Sequence, residues 1–190
     1  MRRQLIDRAE AWSTGGVAFI QLREKDLDGP QLQSLAAELI DKIDRRRSKL
    51  LVNISTPFAA SLAAGAGADG VHLAGKPAPG MAAVIRHIFR AAGSEPAISV
   101  PCHNLEDVRV AVREQVDLLL FSPVFEKEAS QPQGLGALRR ACAAAAAIPV
   151  FALGGVTSAN AADCLLSGAA GVAGIRLFTS EEWRSLLPTN

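Results

Sequence analysis

Residues 148–156 read Ile-Pro-Val-Phe-Ala-Leu-Gly-Gly-Val, and residues 171–176 read Gly-Val-Ala-Gly-Ile-Arg. Each stretch is a short apolar run that reaches a glycine and precedes a predicted helix. Because glycine has no Cβ, an anion such as phosphate can approach the backbone N–H groups there. In parallel α/β barrels, the loops after the last two strands are the usual phosphate site. The two stretches therefore predict a barrel that binds phosphate near Gly154, Gly155 and Gly174.

The rest of the chain repeats the same unit, in which a helix, a glycine turn and an apolar strand follow one another. The predicted strands are almost continuously apolar, which is typical of strands that are covered on both faces. Seven such strands are predicted, at residues 17–23, 50–53, 70–73, 97–100, 118–121, 150–153 and 171–175. Eight helices are predicted, at residues 4–13, 31–46, 58–64, 81–92, 105–114, 138–146, 159–166 and 181–187.

The predicted order places a helix before the first strand, so a closed (β/α)8 barrel lacks one strand. We expect a single domain over residues 1–190, an α/β TIM-type barrel whose first strand is missing or irregular. A doubly wound open sheet is the alternative, but no G-x-G-x-x-G follows the first predicted strand. An uncovered strand edge favours pairing with a second copy, so we expect a homodimer unless the N-terminal arm covers that edge.

Composition limits the classes of partner. The 190 residues carry a net charge of +1, which gives no reason to expect nucleic acid. No apolar stretch approaches the ~20 residues of a membrane span, and the N-terminus does not resemble a signal peptide. Cys102, Cys142 and Cys164 are widely spaced and odd in number, so we expect reduced thiols in a cytoplasmic protein without structural zinc.

Polar side chains cluster where the first predicted strand ends. Alternation along the strand places Gln21, Arg23 and Lys25 on one side, which suits a phosphorylated ligand. The structural alternative is an ion-paired strand end, with Arg23 held by Glu24 or Asp26. Together with the glycine loops, the pattern favours ligand binding.

Two further polar residues end strands at the same predicted edge. Asn53 ends the second predicted strand and can donate or accept hydrogen bonds there. His103 follows the fourth strand and precedes a helix, a position that suits a proton-transfer residue beside a phosphate site. His72 lies within a predicted strand, so we expect a hydrogen-bonded core histidine.

Several motifs, in their order and spacing, resemble the thiamine phosphate synthase/TenI family over nearly the whole chain. The resemblance implies a TIM-type barrel and small phosphorylated thiazole or pyrimidine ligands. The matching segments are QLREK (21–25), Asn53, DGVHL (69–73), PVF (123–125), LGGV (153–156) and GVA (171–173).

One activity of the family is thiamine phosphate synthesis, which couples a pyrimidine diphosphate to a thiazole phosphate. The resemblance implies Mg²⁺ held by two carboxylates for this reaction. One carboxylate belongs at Ile54 and the other at residues 74–77, which read Ala-Gly-Lys-Pro. Neither position offers the hard oxygen ligand that magnesium prefers. The loop at residues 126–132 also departs from the family's pattern.

The TenI branch resembles the chain better at these positions, which implies a thiazole tautomerase that needs no metal or cofactor. His103 would act as acid/base, while the N–H groups of the glycine loops bind phosphate. Arg176 would add charge beside Gly174 and Ile175. The residues that would orient a substrate carboxylate are Gln21, Arg23, Lys25 and Asn53. Two alternatives stay open, a Mg²⁺-dependent thiamine phosphate synthase and a non-catalytic protein that binds a phosphorylated metabolite.

Overall fold

The structure is a computed structural model that describes residues 2–126 and 131–187. The chain divides into two compact units, Met1–Ser99 and Val100–Asn190. Strand β4 contributes its first residues to one unit and its last residues to the other. The prediction of a single domain stays a prediction.

The first unit alternates helices with parallel strands, in the strand order β1-β2-β3-β4. Its elements are α1 (Arg2–Gly15), β1 (Phe19–Leu22), α2 (Gly29–Lys42), β2 (Lys49–Ile54), α3 (Pro57–Gly65), β3 (Gly70–Leu73), α4 (Met81–Ala91) and the start of β4 (Ala97–Cys102). In the register, Asn53 lies opposite His72 and His72 lies opposite Ser99. This register decides which side chains share a face of the sheet.

The second unit continues the alternation, in the strand order β4-β5-β6-β7. Its further elements are α5 (Leu105–Arg113), β5 (Leu118–Phe121), α6 (Gly134–Ala144), β6 (Val150–Ala152), α7 (Ala161–Leu166), β7 (Gly171–Val172) and two 3-10 helices, Arg176–Phe178 and Glu181–Leu186. Strand β6 pairs in parallel with both β5 and β7.

The α/β class with alternating parallel strands is confirmed, and a helix precedes the first strand as predicted. Several boundaries differ from the prediction by a few residues, and one predicted helix is of another type. Helix α2 ends at Lys42 rather than at residue 46, since Asp44 turns the chain by accepting a hydrogen bond from the Arg46 N–H (3.1 Å). Strand β7 ends at Val172, and the final predicted helix is 3-10.

Apolar side chains fill the space between strands and helices within each unit. In the first unit, Leu50, Val71 and Ile98 on the strands and Phe89 on α4 are fully shielded from solvent. In the second unit the corresponding residues include Leu119, Val108, Leu138 and Ala152. None of the helices in the described part of the chain combines the length and apolar character that a membrane span requires.

Side-chain caps start several helices just after strand ends. Asp28 forms a capping box with Gln31 at α2, and Thr56 caps α3. Asn104 accepts a hydrogen bond from the Asp107 N–H (2.9 Å) and caps α5. Helix α7 begins at Ala161 rather than at the predicted residue 159, and Asn160 precedes it.

Gly70 fixes how closely β3 and β4 approach. A Cβ at this position would lie 2.0 Å from the carbonyl oxygen of Ala97, far inside van der Waals contact. The obstacle is backbone, which cannot swing away as the end of a flexible side chain can. Only glycine therefore fits at the start of β3.

We expect Gly70→Ala to lower the free energy of unfolding by about 3 kcal/mol or more, because the strands must separate to admit the methyl group. Gly136→Ala in α6 is the matched control, since its Cβ would lie 3.7 Å from the Arg140 guanidinium, an ordinary contact. That control should gain about 0.5–1 kcal/mol from alanine's higher helix propensity. Chemical denaturation of both variants measures the difference, and similar stabilities would contradict the close approach.

Candidate active site

A polar row crosses the sheet of the first unit near the carboxyl ends of its strands. Gln21 Nε2 donates a hydrogen bond to Asn53 Oδ1 (3.2 Å), so the structure brings these two predicted residues together. Asn53 lies opposite His72 on β3, and His72 Nδ1 shares a hydrogen bond with Ser99 Oγ on β4 (2.9 Å). Four hydrogen-bonding side chains therefore occupy one face of β1 to β4.

The positive charge of Arg23 affects the protonation of His72 in this row. Burial, with a smaller contribution from the Arg23 guanidinium, lowers the pKa of His72 to about 4. His72 is therefore neutral at physiological pH, and the prediction of a hydrogen-bonded core histidine is confirmed. Arg23 and Lys25 are exposed, and among the described residues neither forms an ion pair with Glu24 or Asp26.

The sequence reasoning did not place His72 and Ser99 in this row. The signal that could have found them is the two-residue period of a strand combined with the register of parallel neighbours. Asn53 stands out because it ends its predicted strand, and Gln21 because it alternates with two cations, whereas His72 and Ser99 are each followed by a further apolar strand residue. The row therefore extends over four strands, whereas the sequence predicted polar side chains on only the first two of them.

In the second unit, His103 lies at the end of β4. Its Nδ1 is 2.8 Å from the carbonyl oxygen of Ser122, and the Ser122 hydroxyl is 3.3 Å from the same nitrogen. Since a carbonyl only accepts, Nδ1 carries the proton in that bond, and Nε2 of the neutral ring is then an acceptor. The imidazole is exposed and oriented by Ser122, the residue after β5, but its predicted role as acid/base stays a prediction.

Gly154 and Gly155 lie against the segment that follows β5. A Cβ at Gly154 would lie 2.8 Å from the Pro123 Cα, and one at Gly155 would lie 2.7 Å from the Glu126 carbonyl oxygen. Both residues also have positive φ values, +92° and +67°. Packing between two loops is therefore a second reason for glycine here, which the sequence reasoning did not foresee.

The same loops present backbone donors. Within residues 2–126 and 131–187, the N–H groups of Gly154, Gly155, Gly174 and Ile175 donate to no protein acceptor. Asn160 braces the first loop, with its Nδ2 donating to the Gly155 carbonyl (3.1 Å). Unused N–H groups at strand ends suit an anionic ligand.

Arg176 follows the second glycine loop and begins a 3-10 helix. The chain turns back at Gly174, where a Cβ would lie 2.9 Å from the Leu177 Cβ. The Arg176 side chain is exposed, and no ion pair holds it among the described residues. Its placement permits the predicted contact with an anion, which stays a prediction.

The residues that are described do not fit a magnesium site. No group of three or more His, Cys, Asp or Glu side chains that could hold a metal ion occurs in residues 2–126 and 131–187. The side chain of Ile54 is 2% exposed, and Lys76 brings a positive charge to the loop after β3. Residues 127–130 of the altered loop lie outside the described residues.

Parallel strands, unused backbone N–H groups and cations at strand ends define the class: a TIM-barrel-type α/β protein equipped to bind phosphorylated small molecules. The model of one family, described as thiamine monophosphate synthase, matches residues 1–178. The chain belongs to this family, and the resemblance inferred from its motifs is confirmed.

Curated relatives and a solved structure agree with this assignment. A relative from Geobacter sulfurreducens, provisionally named a thiamine-phosphate synthase, is 39% identical over 90% of this chain and 78% of its own. The thiamine-phosphate synthase of Chloroflexus aurantiacus is 34% identical over 86% of this chain and 73% of its own. The structure of thiamine phosphate pyrophosphorylase from Pyrococcus furiosus superposes with a TM-score of 0.78 at 24% identity, covering 96% of this chain and 86% of that one.

The expectation of a TenI-like thiazole tautomerase is wrong. The relatives are named for thiamine-phosphate synthesis, and none of these names points to a tautomerase. The expectation rested on the missing carboxylates at Ile54 and at residues 74–77. The absence of those carboxylates bears on whether Mg²⁺ neutralises a phosphorylated ligand. It gives no evidence that the protein catalyses a proton shift. The TIM-type fold, in contrast, is confirmed by the superposition.

His72 makes stability depend on pH in a defined direction. Its pKa falls from an ordinary 6.5 to about 4 in the folded protein, so below pH 6.5 the unfolded chain binds a proton that the folded chain does not. Stability should therefore fall as pH drops from about 7 to about 5, by about 2 kcal/mol from this residue. His72→Asn should lose that dependence.

The measurement is the free energy of unfolding across this pH range for the wild type, His72→Asn and the control His87→Asn. His87 is exposed on α4, so its variant should follow the wild type. Subtracting the curves cancels the carboxylates that all three proteins share. Parallel curves for the wild type and His72→Asn would show that His72 is not held neutral by the fold.

Proposed function

We propose that this protein is a transferase of the thiamine-phosphate synthase type, which joins a pyrimidine diphosphate to a thiazole phosphate and releases diphosphate. The observation that carries the proposal is the similarity of nearly the whole chain to relatives named for this reaction, one of which is 39% identical. The similarity spans both units, so it includes both polar clusters at the strand ends.

The glycine loops of the second unit suit the monophosphate of the thiazole. Among the described residues, Gly154, Gly155, Gly174 and Ile175 offer N–H donors that no protein acceptor uses, and such donors suit phosphate oxygens. Ile175 supports this arrangement because it is 73% exposed and does not fill the loop. Arg176 adds an exposed positive charge beside them.

The polar row of the first unit suits the pyrimidine diphosphate. Arg23 and Lys25 can stabilise the negative charge that develops on diphosphate as it leaves. The amides of Gln21 and Asn53 each offer both donors and acceptors, which match the ring nitrogens and amino group of a pyrimidine. Their mutual hydrogen bond orients them before the ligand binds.

The bond changes of this reaction require no proton shift. The bond between the pyrimidine's methylene carbon and the diphosphate oxygen breaks, and its electron pair leaves with diphosphate. The lone pair of the thiazole nitrogen forms the new C–N bond. His103 then serves as a ligand contact, through the Nε2 that its bond to Ser122 leaves as an acceptor.

Two expectations from the sequence accompany the proposal. A homodimer and a cytoplasmic location stay predictions, and sedimentation of the purified protein tests the first of them.

The test mixes the purified protein with both substrates, in the presence of Mg²⁺ and separately in EDTA, and measures thiamine phosphate by chromatography. We expect product in at least one condition. Arg23→Ala should lower kcat/KM about 100-fold, because a charged contact to the leaving group is lost. Arg8→Ala, an exposed arginine on α1, is the matched control and should leave kcat/KM unchanged.

Absence of thiamine phosphate under both conditions, with the thermal melting curve of an intact protein, would refute the proposed transferase. Binding of thiazole phosphate without turnover would then indicate a non-catalytic protein. Equal effects of Arg23→Ala and Arg8→Ala would remove Arg23 from the site.

A further inference from the structure

Three cations follow the carboxyl ends of β1 and β3 in the first unit. Arg23 comes directly after β1, whereas Lys25 and Lys76 each come three residues after the end of β1 and β3, respectively. We call these three residues the cation cluster. All three side chains are exposed, so their charges are available to a ligand.

Hydrogen bonds between the strands place the two loops on the same edge of the sheet. Strand β2 lies between β1 and β3, and all three run in parallel. The Ala74 N–H donates to the Ile54 carbonyl (2.8 Å), so the loop that carries Lys76 starts beside the end of β2. Arg23 lies at the same edge, since it directly follows Leu22, which pairs with Val52 near the end of β2.

No ion pair holds Arg23, Lys25 or Lys76 within the described ranges, 2–126 and 131–187. Glu24 and Asp26 alternate with the cations along the chain, and the Asp28 carboxylate caps α2 instead. Other exposed arginines of the unit, such as Arg2 and Arg45, do form ion pairs.

The same edge lacks what a divalent cation needs. Mg²⁺ prefers several hard oxygen ligands, yet the end of β2 carries the buried apolar Ile54. The loop after β3 has Lys76 where a carboxylate would have to lie, and a lysine repels a metal ion. His72 is held neutral, so it adds no charge of its own.

We propose that this edge is a diphosphate-binding site in which the ammonium of Lys76, with Arg23 and Lys25, takes the place of a divalent cation. That the ligand is a diphosphate rests on the proposed function, whereas the independence from metal rests on the donor groups alone. Arg23 can form two parallel hydrogen bonds to phosphate oxygens, and each lysine is a compact charge with three donors. Fixed side-chain charges therefore replace an exchangeable ion.

The direct test is calorimetric titration with inorganic diphosphate, in EDTA and again with excess Mg²⁺. We expect binding in EDTA, with a Kd no more than threefold weaker than in Mg²⁺. Binding that requires Mg²⁺ would overturn the proposal. Detection of heat is independent of turnover, so this readout does not rely on an active enzyme.

Variants of Lys76 test whether its ammonium group contributes to diphosphate binding. Lys76→Ala should weaken diphosphate binding in EDTA at least fivefold, since a charge-assisted contact is lost. Lys49→Ala is the matched control, because Lys49 is also exposed but begins β2 at the opposite end of the strand. Equal affinities for these two variants would overturn the role of Lys76.

A charge reversal sharpens the assignment. Lys76→Asp should weaken binding in EDTA more than Lys76→Ala does, and part of the loss should return when Mg²⁺ is added. Loss in EDTA no greater than that of Lys76→Ala would contradict a direct contact between Lys76 and the ligand. Because Lys76 lies in an exposed loop, both variants should keep the wild-type melting temperature.

The outcome separates this inference from the transferase proposal. Metal-free diphosphate binding without thiamine phosphate formation would leave the site standing and refute the transferase. Thiamine phosphate formation together with diphosphate binding that is abolished by EDTA would support the transferase and refute metal-free binding.

Discussion

The register of hydrogen bonds between parallel strands is the constraint on which the sites depend. It places Asn53, His72 and Ser99 side by side across β2, β3 and β4. If one strand shifted by a single residue, its polar side chain would turn to the opposite face of the sheet, and an apolar side chain would take its place in the polar row. Gly70 enforces the register, because only a residue without a Cβ fits against the Ala97 backbone.

Much of the fold could be predicted from local sequence, because buried parallel strands are continuous apolar runs. Residues 70–73 and 118–121 form strands with the predicted bounds. The end of α2 could not be predicted in this way, since it depends on Ser13, whose hydroxyl accepts a hydrogen bond from the Asp44 N–H (2.6 Å) thirty-one residues further on. The short β7 likewise reflects a turn of Gly174 against Leu177.

The candidate site was only partly visible in the sequence. Residues at strand ends, such as Gln21, Asn53 and His103, could be recognised because strand ends of a parallel sheet lie at one edge. His72 and Ser99 required the register, and the contact of His103 with Ser122 required the pairing of the chain after β4 and β5. Two missing carboxylates outweighed the overall resemblance in the sequence reasoning, which led to the wrong reaction.

The contacts of Gly154 and Gly155 also bear on the entropy of ligand binding. The Val124 and Phe125 N–H groups donate to the Leu153 and Gly154 carbonyls, both at 3.0 Å, so the loop after β6 is tied to the loop after β5. A loop held in this way loses little conformational entropy when an anion binds to its backbone N–H groups. For the anion that we propose binds here, the residues that pack the two loops together would therefore lower the conformational entropy cost of binding.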